Sequence, residues 1–302
     1  MEKVIIIGAG PAGISAALYA VRGNLDPLVI NNGIGALEKA EKIENYYGLE
    51  HPLSGQELYD TGIAQAKALG VRILDAQVLG VGGFDTFVVK TTEGEFETQS
   101  LILATGSKRA APKIPGVKEF EGKGVSYCAI CDAFFYRGKD VAVLGNSDFA
   151  LHEAEELSHT ASRVTIFTDG KKPEFSKENA IDVNSMKIQA IEGDERVQGL
   201  RLKGDVSLQE AGEPQTSFAP AEGVFVALGT AGSSEMARQI GAELNEKGNI
   251  RVNEEMETTV PGLYAAGDCT GGLLQVAKAV HDGAQAGLSA CQYVRKLLKG
   301  QA

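Results

Sequence analysis

Short apolar runs alternate with glycine turns and amphipathic stretches along most of this chain. Residues 3–7 are apolar and β-branched, which predicts a strand. Gly8-Ala-Gly10-Pro-Ala-Gly13 follows at once, then an alanine-rich helical stretch over 14–22. Residues 28–30 predict the next strand, so strand, glycine turn, helix and strand come in the order of a dinucleotide-binding βαβ unit. In such a turn the first glycine allows the tight bend, the second lets backbone approach a pyrophosphate, and the third lets helix pack on strand. The helix start then offers unpaired N–H groups and a positive dipole end to the phosphates.

Further on, the pattern predicts a helix over 55–69 and strands over 71–76, 86–92, 95–98 and 101–104. A loop with Pro112 and Pro115 reads as a domain boundary. A second strand-turn-helix-strand unit is predicted from 140–144, Gly145-Asn-Ser-Asp-Phe-Ala150, 151–158 and 163–167. It repeats the fold of the first unit without repeating its sequence closely. Strands are predicted at 188–192, 198–203 and 223–228, with a polar, turn-rich stretch over 204–220. Residues 241–248 read as a second boundary. An apolar strand then ends in Gly267-Asp268, and 275–298 predicts a long helix.

The 302 residues, 43% of them hydrophobic, are enough for two cored domains. The net charge of −11 argues against general nucleic-acid binding and against adhesion to an anionic membrane. The N-terminal stretch lacks the basic, apolar and small-residue regions of a signal peptide, and no apolar run approaches the roughly 18 residues of a membrane span. A cytoplasmic location is expected.

Four cysteines do not make a disulfide scaffold. Cys128-Ala-Ile-Cys131-Asp132 is the stretch that carries chemistry. A pair at this spacing can open and close a disulfide, which stores two electrons, and the adjoining acid can handle a proton. Zinc would need two further ligands, and neither Cys269, Cys291 nor any histidine stands at ligand spacing. Cys269 and Cys291 read as small buried hydrophobes. His51, His152, His159 and His281 have no triad context, and His152 is expected on the surface. Lys108, Arg109, Lys113, Lys118 and Lys123 gather mildly near the first boundary, as a solvated face or a docking patch for an acidic protein.

Taken in order, Gly-Ala-Gly-Pro-Ala-Gly, Cys-Ala-Ile-Cys-Asp with the following Phe134-Phe-Tyr136, and Tyr-Ala-Ala-Gly-Asp resemble the low-molecular-weight thioredoxin reductases over essentially the whole chain. The resemblance implies an α/β fold of two Rossmann-like three-layer dinucleotide-binding domains, the second inserted in the first. It implies an FAD domain from 1–113 and 242–302, a central redox domain over 114–241, and a homodimer. By matching position, FAD would meet Gly8, Gly10, Pro11, Ala12, Gly13, Asn31, Leu37, Asn45, Val78, Ala104, Thr105, Gly106, Gly267, Asp268, Gln275, Val276 and Ala277. Cys131 would be the flavin-proximal thiol, Cys128 would attack the protein substrate's disulfide, and Asp132 would move the proton. The central domain would rotate between these tasks.

The departures from the family pattern decide the expected donor. Where the second turn is typically Gly-Gly-Gly-Asp/Asn-Ser/Thr-Ala, Asn146 and Ser147 replace two glycines. Where a His-Arg-Arg run would grip a 2′-phosphate, the chain has Phe167-Thr-Asp-Gly170, followed by Lys171 and Lys172. Asp169 would repel that phosphate; it reads as a solvated turn residue or as a ribose acceptor favouring NADH. In the first unit the strand ends in Asn31-Asn32, not an acid, and Ala36 replaces a flavin-contacting glutamine. The chain is therefore most similar to the ferredoxin-linked, pyridine-nucleotide-independent branch. It is expected to be an FAD-dependent disulfide reductase that takes electrons from ferredoxin and passes them through Cys128 and Cys131 to a thioredoxin-like protein. The alternatives are an NADH- or NADPH-dependent enzyme, a diflavin-type oxidoreductase with another substrate, and a flavin redox sensor.

Overall fold

The computed structural model describes residues 1–83, 85–106, 112–203, 216–229 and 231–300. Lys108 and Arg109 of the basic cluster and residues 204–215 of the polar stretch lie outside the described residues. The chain forms two compact units, Met1–Arg109 with Gly232–Ala302, and Ala110–Ala231.

The first unit opens with β1 (Glu2–Ile7), α1 (Pro11–Arg22) and β2 (Leu28–Asn31), followed by α2 (Gly55–Ala68) and β3 (Arg72–Asp75). The antiparallel run β4 (Val78–Gly82), β5 (Phe87–Thr91) and β6 (Gly94–Leu103) completes its first segment. Its seven-stranded sheet runs β3-β2-β1-β6-β5-β4. Strands β3, β2, β1 and β6 are mutually parallel, so their carboxyl ends share one edge. The two short strands expected over 95–104 are one ten-residue strand, β6. Polar Thr98 and Ser100 are fully buried within it because each finds a partner: Thr98 Oγ1 donates to the Ser100 carbonyl and Ser100 Oγ to that of Gly262.

The second unit holds β7 (Val125–Ser126), the short helix α3 (Ala129–Asp132), β8 (Asp140–Leu144), α4 (Asp148–Ser158) and β9 (Arg163–Phe167). It continues with β10 (Asp182–Asn184), β11 (Ile188–Gly193), β12 (Val197–Lys203), β13 (Thr216–Pro220) and β14 (Gly223–Val226). One parallel sheet runs β10-β9-β8-β14-β7, and an antiparallel one runs β11-β12-β13. The end of the stretch expected to be turn-rich is thus a strand, β13, held in register along β12. Val125, Leu144, Leu200 and Val224 share this unit's core.

The chain returns to the first unit through α5 (Ser233–Gln239), β15 (Leu263–Ala265) and α6 (Val276–Leu298). This changeover precedes the expected 241–248, because Ser233 and Gln239 bond to Thr105 and Val81 of the first unit. Strand β15 lies parallel to β6 and extends the same carboxyl edge. Helix α6 packs on α1 backbone to backbone: a Cβ on Gly283 or Gly287 would overlap the carbonyl of Ala12 or Ala16. Buried alanines of α1 and α6 fill the remaining contact. No helix among the described residues is long and apolar enough to cross a membrane.

Candidate active site

The redox candidates lie together in the second unit. Cys128 and Cys131 form a disulfide with their Cα atoms 5.4 Å apart. Cys128 caps α3, and the Cys131 N–H donates to its Sγ at 3.2 Å. The two cysteines differ in access: Cys128 is 3% exposed, whereas Cys131 is exposed. Asp132 follows on the same turn, and its Oδ2 accepts from Ser126 Oγ at 2.6 Å. The Cys128 N–H donates to that same Ser126 oxygen at 3.1 Å. Ser126 therefore links the acid to the buried cysteine. From α4, the buried Glu153 accepts the Ala129 N–H at 2.7 Å. Neither Ser126 nor Glu153 stood out in the sequence, since nothing in their spacing marks them. Phe134 and Phe135 beside the pair are 71% and 68% exposed, with the Arg137 guanidinium 5.5 Å from the Phe134 ring centre. They form an apolar flank beside the exposed sulfur.

The second dinucleotide-like turn is closed by its own chain. Residues 172–176 cross over Asn146, Ser147 and Asp148. Asn146 Nδ2 donates to the Lys172 carbonyl at 3.1 Å, and the Glu174 N–H to the Asn146 carbonyl at 2.7 Å. Ser147 pairs with Glu174 as an isolated parallel bridge, and Asp148 Oδ1 accepts the Ser176 N–H at 2.7 Å. Asp169, expected as a solvated turn residue or a ribose acceptor, is neither. With φ at 52° it turns its carboxylate onto the Ile188 N–H at 2.9 Å and Lys187 Nζ at 3.0 Å. It fastens the end of β9 to the start of β11. His152, expected on the surface, is 9% exposed because α4 turns that face into the unit; its Nε2 lies 3.8 Å from Glu156.

The expected flavin residues all fall in the first unit, most of them just beyond carboxyl ends of its parallel strands. Gly8, Gly10, Pro11, Ala12 and Gly13 follow β1. Gly8 has φ at +110°, and a Cβ there or on Gly13 would strike backbone, whereas Gly10 faces open space. Gly10 gives the α1 N-terminus no side-chain cap, so its N–H groups remain to be met by an anion. Asn31 ends β2. Leu37 is buried in a short 3-10 turn. Val78 begins β4, three residues beyond Asp75. Ala104, Thr105 and Gly106 follow β6, where Thr105 meets Ser233 through both main chain and hydroxyl. Gly267 and Asp268 follow β15, and Gln275 caps α6 ahead of Val276 and Ala277. Asn45 Nδ2 donates to Gln275 Oε1 at 2.8 Å, joining the two loops expected to flank the flavin.

The Gly267-Asp268 turn rests on a polar knot that the sequence did not announce. The buried Asp282 accepts the Gly267 N–H at 3.1 Å and pairs with Lys278 Nζ at 2.7 Å. Lys278 also donates to the Gly267 carbonyl at 2.8 Å and to Thr270 Oγ1 at 2.6 Å. Burial holds the Asp268 carboxyl above its usual range, partly offset by the Lys278 charge. These residues fit FAD: an uncapped helix start lies behind open glycine, and hydrogen-bonding groups line the same sheet edge. Among the described residues no group of His, Cys, Asp or Glu is arranged to hold a metal ion. Cys269 is buried, and burial pushes its thiol up to about 11.

Comparison with known proteins gives this arrangement its context. Residues 2–283 match the model of the pyridine nucleotide-disulphide oxidoreductase family. A thioredoxin reductase of Aquifex aeolicus is 38% identical, covering 99% of this chain and 94% of its own. The solved atypical thioredoxin reductase TRi of Desulfovibrio vulgaris Hildenborough superposes with a TM-score of 0.88 at 38% identity, covering 98% of this chain and 99% of its own. A ferredoxin-flavin thioredoxin reductase of Clostridium acetobutylicum superposes with a TM-score of 0.70 at 32% identity, covering 98% of each chain. The chain accordingly belongs to the pyridine nucleotide-disulphide oxidoreductases and, within them, to the thioredoxin reductases, FAD flavoproteins that act on a disulfide.

Proposed function

We propose that the chain reduces the disulfide of a thioredoxin-like protein with electrons from reduced ferredoxin, and not from NADPH or NADH. The observation that carries the donor reading is the closure of the second turn by residues 172–176. A nucleotide's pyrophosphate needs that turn's backbone within reach. Here the turn carries two side chains and is bonded to its own strap, and the acid at the end of β9 is spent on Lys187 and Ile188. Similarity to the ferredoxin-flavin thioredoxin reductase of Clostridium acetobutylicum supports this reading. In it, the first unit, Met1–Arg109 with Gly232–Ala302, is the FAD domain and the second, Ala110–Ala231, the redox domain. The enzyme works as a homodimer in the cytoplasm, where a cycling cysteine pair is kept reducible.

Gly8, Gly10, Pro11, Ala12 and Gly13 would hold the pyrophosphate. Asn31, Ala104, Thr105, Gly106, Gly267 and Asp268, with Leu37, Asn45, Val78, Gln275, Val276 and Ala277, would hold the rest of the cofactor. Bound there, FAD would supply a two-electron carrier.

Two electrons and two protons convert the Cys128–Cys131 bond to two thiols. Access favours Cys131 as the sulfur that meets a partner, which reverses the role expected for Cys128. The Cys131 thiolate attacks the partner's disulfide, expelling one partner thiolate and forming a mixed disulfide. Cys128, its thiolate stabilised by the Cys131 N–H, then attacks Cys131 Sγ. That step releases the second partner thiol and restores the Cys128–Cys131 bond. Asp132, held by Ser126, gives and takes the protons.

The test is anaerobic spectroscopy of the purified protein as NADPH, NADH and reduced ferredoxin are added separately. Ferredoxin alone is expected to bleach the flavin. Fast bleaching by either nucleotide at micromolar concentration would refute the donor reading.

A further inference from the structure

The carboxyl edge of the first unit holds a polar relay of which only Asn31 is among the expected FAD contacts. Asn31 closes β2 and Asp75 closes β3, and the parallel register sets the two residues side by side. Asn31 Nδ2 donates to Asp75 Oδ1 at 2.6 Å. From α2, the Tyr59 hydroxyl donates to Asn31 Oδ1 at 2.9 Å. Burial raises the Tyr59 pKa, with Asp75 and Asp60 adding to it, so the phenol keeps the proton it donates. Hydrogen-bond polarity therefore runs one way, from Tyr59 through Asn31, and ends on the Asp75 carboxylate. That carboxylate is exposed at the strand edge.

In a dinucleotide-binding βαβ unit, an acid at the end of the second strand accepts hydrogen bonds from the adenosine ribose. In this chain an amide stands there, with both its oxygen and its nitrogen already engaged. Bracing the strand ends does not account for the relay, because the Ala76 N–H already ties β3 to the Asn31 carbonyl at 2.9 Å. We propose that Asp75, one strand over, is the acceptor for the adenosine ribose hydroxyls of the bound dinucleotide, with Asn31 and Tyr59 as the residues that position it. This assignment rests on FAD binding at the Gly8–Gly13 turn.

The test strips FAD from the protein and titrates back FAD or its analogue lacking the adenosine 2′-hydroxyl, read by flavin fluorescence. Hydrogen bonds to a carboxylate predict that wild type binds FAD at least about tenfold more tightly than the analogue. Asp75→Asn should weaken FAD by a similar factor and hold the two flavins within about twofold of each other. Tyr59→Phe should give a smaller loss of the same kind. Equal affinity of wild type for both flavins overturns the proposal, as does full discrimination by Asp75→Asn. Should Asp75→Asn fail to fold, the wild-type comparison and Tyr59→Phe still decide. Failure of wild type to bind either flavin would instead reject the FAD site, and the proposal with it, a result distinct from binding without discrimination.

Discussion

Ser126 donates a 2.6 Å hydrogen bond to Asp132 and accepts the main-chain N–H of Cys128 at 3.1 Å. One hydroxyl thus sets the acid against the redox turn. Ser126→Ala should leave FAD content unchanged and slow thioredoxin reduction about tenfold, because the acid loses its orientation but not its proton. Asp132→Asn should cost more, about 10²–10⁴-fold, the usual worth of a general acid or base. Steady-state turnover with an artificial reductant checks both, and equal losses would show that Ser126 does more than orient.

The unequal access of the two sulfurs predicts which single-cysteine variant traps a partner. Cys128→Ser leaves the exposed Cys131 and should accumulate a stable mixed disulfide with thioredoxin, visible as a shifted band on a non-reducing gel. Cys131→Ser should trap at least about tenfold less, since Cys128 is 3% exposed. The opposite order would return the attacking role to Cys128.

Restoring glycine in the second turn should not restore a nicotinamide site. In an Asn146→Gly, Ser147→Gly double variant, the Glu174 N–H still reaches the residue 146 carbonyl and Asp148 still holds Ser176. NADPH at millimolar concentration should leave the flavin oxidised over minutes under anaerobic conditions. Rapid reduction would mean that the side chains alone, and not the strap, bar the nucleotide.

Cys269 supplies a pH prediction. Burial is the main cause that lifts its thiol to about 11. The sign follows: below that pH the native thiol keeps its proton, so the reactive thiolate is scarce. The thiol's folded pKa exceeds its unfolded one, so its stabilising share is full below pH 9 and fades as pH rises through about 11. Iodoacetamide at pH 8 should therefore modify the exposed Cys131 and leave Cys269 unmodified in reduced native protein, as read by peptide mass spectrometry. Labelling of Cys269 before unfolding would contradict its burial.

Gly283→Ala tests the α1–α6 contact, where the added methyl meets the Ala12 carbonyl. Overpacking of this kind costs about 1–3 kcal/mol. Loss in urea denaturation should be accompanied by weaker FAD retention, because Ala12 belongs to the turn proposed to hold the pyrophosphate.

The parts of this molecule legible in sequence are those where local pattern and chemistry coincide. Gly8 to Gly13 announces its turn because only glycine suits both the positive φ of Gly8 and the contact at Gly13. Cys128, Cys131 and Asp132 announce themselves by adjacency. Strand β4 was missed because its Val-Leu-Gly-Val-Gly carries two glycines and draws its order from pairing with β5. Asp75 and Asn31 stand 44 positions apart, and only the parallel register makes them neighbours. Lys278 and Asp282 look like an ordinary helical ion pair until β15 delivers Gly267 between them. Asp169 was misread for the same reason, since its partners arrive from a strand that starts 19 residues later.

The hydrogen bond from Ala129 to Glu153 places the cysteine turn on α4, the helix that begins at the strapped second turn. In evolutionary terms the two ends of that helix answer to different demands. With ferredoxin as the proposed donor, its first turn has no nucleotide to recognise and need only accept the strap. Glu153, one and a half turns further on, anchors the disulfide and is not free. On that reading a change of electron supplier would need only that loop rewritten, with the disulfide chemistry kept.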